Sequence, residues 1–154
     1  MAKKNMIRKA VVQDVPGIQK LINDRAKEGF LLPRSLNEIY ENLRDFSIYE
    51  EEKTIYGCAA LHVTWENLAE IRSLVVHQSR QGGGIGKQLV ECCIEEAKQL
   101  KVKKVFLLTE KPEFFGKLGF AGIDKAQLPH KIWNECVQCV QFPDCNELAM
   151  IKEI

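Results

Sequence analysis

The stretch Val75-Val76-His77-Gln78-Ser79-Arg80-Gln81-Gly82-Gly83-Gly84-Ile85-Gly86-Lys87 decides the fold of this 154-residue chain. It follows an apolar run and precedes a segment in which apolar residues recur at intervals of three and four. This pattern predicts a strand, a glycine loop and a helix. Val102 to Leu108 is predicted to be the next strand. Strand, helix and strand in this order form a βαβ unit, whose strands are parallel and whose crossover is right-handed.

The rest of the chain predicts a sheet built around that unit. Further strands are expected at Ile7 to Val11, Phe46 to Tyr49, Ile55 to Val63, Ala69 to Val76 and Leu148 to Ile151. Further helices are expected after a cap at Asp14, after the capping box of Ser35 and Glu38, and from Pro112 to a C-terminal cap at Gly119. The strands before the glycine loop are close in sequence, which favours antiparallel neighbours. The expected fold class is therefore α/β, with one mixed central sheet, flanking helices and a single domain over residues 1–154.

Composition excludes several classes of function. Lys and Arg number 22 against 21 Asp and Glu, so the formal net charge is +1. This balance provides no global field for nucleic acid or an anionic membrane. Arg8 and Lys9 interrupt any signal-peptide core, and no apolar run is long enough to span a membrane. We therefore expect a cytoplasmic protein with reduced thiols and small-molecule substrates, either as a monomer or as a homodimer.

The glycine loop has the composition of an anion site. Glycines before a helix let the backbone approach a phosphate or pyrophosphate closely, and the helix adds N–H groups and a positive dipole end. Arg80 and Lys87 add positive charge. The P-loop pattern fails because Gln88 follows Gly86-Lys87, and no complete G-x-G-x-x-G is present. A glycine-rich turn without a ligand is the alternative.

Two motifs resemble the Gcn5-related N-acetyltransferase (GNAT) family. One is Gln81-x-x-Gly84-x-Gly86 at the start of a helix, and the other is Phe114-Phe115-Gly116-Lys117-Leu118-Gly119-Phe120. The resemblance implies that acetyl-coenzyme A is the co-substrate. It also implies that the strand residues pair with the pantetheine arm and that the loop amides hold the pyrophosphate. The implied coenzyme-binding residues are Leu74, Val75, Val76, Gln81, Gly82, Gly83, Gly84, Ile85, Gly86 and Lys87.

Three segments resemble the acetyltransferase domains of N-acetylglutamate synthases more closely. They are Gly29 to Ser35, Tyr56 to Leu61 and Glu70 to Val76, and the tail from Leu128 to Trp133 is similar to that of short stand-alone bacterial members. The resemblance implies direct transfer of an acetyl group to the α-amine of L-glutamate. Two alternatives remain: an N-acetyltransferase for another amino acid or small amine, and a coenzyme A-binding regulatory module without catalysis.

The same resemblance assigns roles to single residues. Glu70 is the candidate base, with an exposed carboxylate at a strand edge as the alternative. Arg34, beside Leu32, is the candidate clamp for a substrate carboxylate through its bidentate fork. Lys131 is a further candidate for substrate binding. Arg72 and Ser73 are weaker candidates. Regular alternation along a strand predicts that they point to opposite faces, so that only one of the two enters the site.

The general acid is less well defined. Many acetyltransferases of the family have a tyrosine in the aromatic stretch, and Phe115 stands there in this chain. Thr109 is the nearest hydroxyl and is the candidate. A water molecule could serve instead, or no acid is required because a thiolate is a tolerable leaving group near neutral pH.

The six cysteines divide into two groups. Cys58 and Cys93 are expected in the core, and Cys92 lies beside Cys93 in mid-helix. Cys136, Cys139 and Cys145, with His130 upstream, have the composition of a zinc site, although the second pair of ligands is not compact. We expect no metal, and keep zinc at these residues as the alternative.

Overall fold

The computed structural model describes residues 6–28, 33–128 and 148–154 of the chain. The helices are α1 (Val15–Ala26), α2 (Leu36–Glu41), α3 (Ile85–Gln99) and α4 (Pro112–Gly116). The strands are β1 (Ile7–Lys9), β2 (Phe46–Glu51), β3 (Thr54–Trp65), β4 (Leu68–Val76), β5 (Lys104–Thr109), β6 (Ala121–Ile123) and β7 (Leu148–Glu153).

The seven strands form one mixed sheet in the order β1-β2-β3-β4-β5-β7-β6. The first four strands are antiparallel neighbours, as the meander predicts. β4 and β5 run parallel, with α3 as the crossover between them. The predicted βαβ unit is confirmed and lies at the centre of the sheet.

Helices cover both faces of the sheet. On one face, α3 packs its apolar stripe against β3 and β4, with Leu89 and Cys93 fully buried beside Ala59 and Ile71. On the other face, α1 and α2 pack against β2 and β3 through residues that include Ile18. The candidate site lies on this second face, which we call the α1/α2 face.

Two of the predicted helix termini are confirmed in detail. The Ser35 hydroxyl accepts a hydrogen bond from the Glu38 N–H at 3.1 Å, and the Ser35 N–H donates to the Glu38 carboxylate at 3.0 Å. After α4, Gly119 has φ of 95°, and the Phe120 N–H donates to the Phe115 carbonyl at 3.1 Å. This Schellman-type end needs a left-handed residue, which glycine supplies without steric cost.

The structure differs from prediction at several boundaries. Asp14 precedes α1 but makes no side-chain cap hydrogen bond to it. Its carboxylate instead accepts from the Val11 N–H at 2.7 Å and pairs with Arg8 at 2.8 Å. The short edge strand β6 was not predicted, because three residues leave no usable periodicity. Within the described segments, no helix is both long and apolar enough to cross a membrane.

Candidate functional site

The site begins where two central strands separate. β4 and β5 pair only from Leu68 opposite Lys104 to Glu70 opposite Phe106. Beyond these pairs, the rest of β4 has no register partner on β5 in the described residues. The gap leaves backbone groups of β4 facing an opening in the sheet, and β4 leads directly towards the glycine loop. An extended amide-containing ligand could form hydrogen bonds along such an edge.

A β-bulge in β4 shapes the same region. Cys58 pairs with Val75 and Ala60 pairs with Arg72, so β4 has one more residue than β3 over this interval. Ser73 lies in the extra step with φ of 56°, in the left-handed region. The Cys58 thiol donates to the Ser73 carbonyl at 3.4 Å. The bulge bends the strand and changes where its side chains point.

The prediction that Arg72 and Ser73 cannot both enter one site is wrong. Because of the extra residue, Ile71 belongs to the core beneath α3 whereas Val75 belongs to the core beneath α1 and α2. Regular alternation would have placed these two residues on one face. Arg72 and Ser73 both line one cavity on the α1/α2 face. No glycine marks the bulge, so the sequence carried no signal for it.

This cavity has a volume of about 80 Å³ and carries charges of both signs. Its lining residues are Arg34, Glu38, Ile39, Asn42, Asp45, Phe46, Ala60, Arg72 and Ser73. Two guanidinium groups and two carboxylates therefore face it. Such a set provides partners for the carboxylate and for the ammonium group of an amino acid.

Arg34 is held in place from α1. The Arg34 N–H donates to the Asn23 side-chain oxygen at 3.0 Å, and the Asn23 amide donates to the Arg34 carbonyl at 3.2 Å. Gln19 donates to the same carbonyl at 3.3 Å. The Arg34 side chain is 14% exposed, and its Nη1 lies 3.5 Å from Glu38 Oε2. Sequence analysis found Arg34 but missed the two amide side chains that fix its backbone.

Glu70 is buried, with a side chain that is 8% exposed, so the alternative of an exposed edge carboxylate is wrong. Its Oε1 lies 3.7 Å from Arg72 Nη1. Glu70 also stands directly opposite His62 on β3. Opposite residues of an antiparallel pair share a face, so Glu70 and His62 lie on the α1/α2 face together with Arg72.

The glycine loop opens α3 as predicted. Gly82 and Gly84 have φ of 84° and 88°, a conformation that side chains with a Cβ rarely adopt. The first turn of α3 offers backbone N–H groups that the helix itself does not use. Lys87 is exposed in this turn, and the Gln81 amide donates to the Val76 carbonyl at 3.2 Å. A Cβ on Gly86 would lie 3.4 Å from the Phe114 ring.

Arg80 is engaged within the protein rather than directed to the loop. Its two terminal nitrogens donate to the two Glu51 oxygens at 2.9 Å each, and its guanidinium lies 4.2 Å from the centre of the Tyr56 ring. The bidentate bond to Glu51 raises the pKa of Arg80 still further. Its charge is thus balanced by Glu51, which the sequence analysis did not anticipate.

The far side of the gap carries Thr109 and the aromatic stretch. Thr109 is buried at the end of β5, and its hydroxyl accepts from the Lys111 N–H at 2.8 Å. Phe115 is buried in the core, as predicted, whereas Phe114 is 36% exposed beside Gly86. The two rings meet edge to face with centres 4.9 Å apart.

Burial makes the cysteines of the sheet and helix unsuitable as nucleophiles. It raises the pKa of Cys58 to about 12 and also raises the pKa of Cys93. A thiol with so high a pKa is almost entirely protonated at neutral pH. Both residues belong to the core, as predicted.

Several predicted residues lie outside the described parts of the chain. They are Leu32, His130, Lys131, Cys136, Cys139 and Cys145. In residues 6–28, 33–128 and 148–154, no group of three His, Cys, Asp or Glu side chains is arranged to hold a metal. The zinc alternative remains a prediction.

The described residues fit acetyl-coenzyme A. The separated edge of β4 can pair with an extended amide arm, and the left-handed glycines bring backbone N–H groups of the loop and α3 to the position expected for a pyrophosphate. The gap, the loop and the α1/α2 cavity meet along one strand, β4. This arrangement places a charged cavity beside an open strand edge and a glycine loop, which is suited to an acyltransferase with a coenzyme bound along β4.

Comparison with known proteins identifies the class. A model of the acetyltransferase (GNAT) family matches residues 18–120, and the chain belongs to this family. The predicted fold class and the predicted co-substrate, acetyl-coenzyme A, are confirmed. The protein is thus a GNAT-type N-acetyltransferase.

Individual relatives and solved structures are similar to most of this chain. An uncharacterized N-acetyltransferase of Chlorobaculum tepidum is 36% identical over 148 residues, which cover 96% of either chain. An amino-acid acetyltransferase of Mycobacterium tuberculosis is 34% identical over 133 residues, 84% of this chain and 76% of that protein. The structure of N-acetylglutamate synthase from Neisseria gonorrhoeae, complexed with coenzyme A and N-acetyl-glutamate, matches with a TM-score of 0.87 and 29% identity. That match covers 96% of this chain and 34% of the other.

Proposed function

We propose that this protein transfers the acetyl group of acetyl-coenzyme A directly to the α-amine of L-glutamate, as N-acetylglutamate synthases do in arginine synthesis. One observation carries the proposal: a cavity lined by Arg34, Arg72 and Ser73 opens on the same sheet face as the buried Glu70. The names of the Mycobacterium tuberculosis and Neisseria gonorrhoeae relatives support it.

In the proposed reaction, the α-amine attacks the thioester carbonyl while both substrates are bound. The ammonium form cannot attack, so one proton must leave the nitrogen. Glu70 accepts this proton, directly or through water. Thr109 donates a proton to the departing sulfur, or the thiolate leaves without an acid.

The charges of the cavity support an amino acid as acceptor. Arg34 and Arg72 each lie near a carboxylate of the protein, at 3.5 and 3.7 Å. A guanidinium group presents a planar fork of donors that matches a carboxylate, so both side chains are suited to hold a substrate carboxylate. A polyamine would offer cations alone and leave both arginines without a new partner, which disfavours that alternative.

The test is an acceptor screen in which thiol release is followed with purified protein and acetyl-coenzyme A. L-Glutamate, L-glutamine, L-aspartate, L-lysine and spermidine are compared, and the product is identified by mass spectrometry. The proposal predicts the highest kcat/KM with L-glutamate. Faster turnover of another amino acid would replace glutamate as the acceptor. Binding of acetyl-coenzyme A without acceleration by any amine would favour the regulatory module.

A variant pair tests the role of Arg34. Arg34→Lys keeps the charge but removes the bidentate fork, so KM for glutamate should rise about tenfold or more while KM for acetyl-coenzyme A is unchanged. Arg44→Lys is the matched control, because Arg44 is exposed and outside the cavity lining. Equal kinetics in the two variants would exclude Arg34 as the carboxylate clamp.

A further inference from the structure

We infer that His62 and Asp45 carry a proton from Glu70 to solvent, and we call this pair the proton exit. Glu70 would then return to its deprotonated form through an imidazole rather than by direct contact with bulk water. The inference rests on the proposed role of Glu70 as the base. Nothing local in the sequence connects His62 to Asp45, which lies seventeen residues earlier.

The first argument is burial. The exposed fraction of the side chain is 8% for Glu70, 22% for His62 and 24% for Asp45. A proton that Glu70 takes from the amine therefore needs an intermediate group to reach solvent in each turnover. On its other side Glu70 faces Arg72, whose guanidinium is permanently protonated and accepts nothing.

The second argument is position. His62 and Glu70 are register partners on β3 and β4, and the Cβ atoms of such pairs lie about 4.5–5.5 Å apart on the same face. Both side chains can therefore meet directly or through one water molecule. Asp45 follows α2 in a 3-10 turn, Leu43–Asp45, and lines the α1/α2 cavity. The three groups thus run from the buried strand to the cavity.

The third argument is the tautomer of the His62 ring. His62 Nδ1 lies 2.6 Å from Asp45 Oδ2. An ionised carboxylate can only accept, so in neutral His62 the proton is on Nδ1 and the lone pair is on Nε2. Asp45 therefore orients the ring with its basic nitrogen available to a donor, as a carboxylate does for histidine in other enzymes.

The proton balance closes without any other reagent. An N–H bond of the ammonium breaks and an O–H bond forms on Glu70. This O–H bond then breaks as an N–H bond forms at His62 Nε2, and the imidazolium releases its Nδ1 proton to solvent by way of Asp45. The ring then takes a proton from water at Nδ1 and gives one to water from Nε2, so the starting tautomer returns with one proton released in each turnover. The charged groups nearest the ring are Asp45, which contacts it, and Glu70, its register partner. Arg72 lies 3.7 Å from Glu70 and lines the cavity together with Arg34 and Glu38.

The experiment uses His62→Ala and the full-length protein with the acceptor that it acetylates fastest, so that the outcome does not depend on glutamate. We expect kcat to fall about 10- to 100-fold, with KM for acetyl-coenzyme A unchanged. Added imidazole should restore at least a fifth of the lost rate, because it can occupy the space of the missing ring and carry the proton. Val63→Thr, an exposed change at the next residue, should leave kcat unchanged.

Two further variants separate a proton exit from a structural role. Asp45→Asn should lower kcat about tenfold, since an amide stabilises the wrong tautomer, whereas the exposed Asp24→Asn should have no effect. In the double variant Glu70→Gln, His62→Ala, the rate should equal that of Glu70→Gln within twofold. His62 acts only on a proton that Glu70 has accepted, so its loss has no further effect once Glu70 is replaced.

The outcomes distinguish the inference from the proposed function. A wild-type rate in Glu70→Gln would overturn the role of Glu70 and the exit together. If Glu70→Gln is slow, full activity of His62→Ala overturns the exit alone. A slow His62→Ala that imidazole does not rescue, or losses that multiply in the double variant, would show that His62 is merely structural and would also overturn it.

Discussion

Gly57 is the position where one added methyl group should test the packing beneath the helix that follows the glycine loop. It lies on β3 beneath the start of α3. A Cβ built there would lie 3.0 Å from Ile85 Cγ2, 3.0 Å from Leu89 Cδ1 and 3.3 Å from the Val75 carbonyl. Ile85 and Leu89 are both buried, so neither side chain can move into solvent. Gly57→Ala must therefore push α3 away from the sheet.

The size of the effect follows from these distances. Carbon atoms pack best at about 3.5–4.0 Å, so the helix must move by a few tenths of an ångström or the contacts remain compressed. Overpacking of this kind costs about 1–3 kcal/mol. The lower backbone entropy of the unfolded alanine variant offsets about 0.4–1 kcal/mol of that. The central values of these two ranges leave a net loss of about 1.3 kcal/mol, which lowers Tm by roughly 3–5 °C for a chain of this size.

The same displacement should weaken coenzyme binding, because Ile85 is the first residue of the helix that follows the glycine loop. If about 1 kcal/mol of strain returns when the helix closes on coenzyme A, Kd rises about fivefold. Thermal unfolding and calorimetric titration with coenzyme A measure the two quantities. Gly122→Ala is the control, because a Cβ there meets no atom within 4 Å. A Gly57→Ala protein as stable as this control would refute the packing argument, and a lower Tm with unchanged Kd would refute its link to the coenzyme.

Three further predictions test other parts of the site. Asn23→Ala removes both hydrogen bonds to the Arg34 backbone, so KM for the acceptor should rise about tenfold with little change in KM for acetyl-coenzyme A in steady-state kinetics. Gly86→Ala should raise Tm, since alanine favours helix by up to about 1 kcal/mol and the added Cβ makes ordinary contact with the Phe114 ring at 3.4 Å. It should weaken coenzyme A binding in titrations, because only glycine lets a pyrophosphate approach the backbone of this turn most closely. Burial alone would raise the pKa of Asp14, but hydrogen bonds from Arg8 and the Val11 N–H lower it overall. Its ion pair therefore stabilises the fold above the unfolded pKa of about 3.9 and is lost as pH falls through the lower folded pKa. Urea unfolding of Asp14→Asn should show a deficit of about 1–3 kcal/mol at neutral pH that shrinks below about pH 4, and a deficit independent of pH would contradict this.

Local patterns sufficed for the parts of the fold that depend on neighbours in sequence. The period of α3, the capping box at Ser35 and the left-handed end at Gly119 are all visible within a few residues, and each is confirmed. The βαβ unit followed from element order and chain handedness. The glycines of the loop indicated an anion site, and the resemblance to the GNAT family named coenzyme A as its ligand.

The parts that could not be predicted depend on contacts distant in sequence or on a break in periodicity. Asn23 holds Arg34 from eleven residues away, and His62 meets Asp45 from seventeen. The bulge at Ser73 contains no glycine that would reveal it in the sequence. It moves every later side chain of β4 to the sheet face opposite the one that regular alternation predicts. Arg72 does share a face with Glu70, because those two residues precede the bulge and the regular period still applies.

The bulge also explains why a buried cysteine stands in β3. The extra residue in β4 interrupts the regular register with β3 at Ser73, and a carbonyl at such an irregularity needs a hydrogen-bond partner. The Cys58 thiol supplies that partner at 3.4 Å and is itself held protonated by burial, so it can act as a donor at any physiological pH. The alanine and glycine neighbours of Cys58 keep the strand close to α3 on its other face. One short segment of β3 thus packs on one face against the bulge that borders the cavity, and on the other face against α3, which follows the glycine loop.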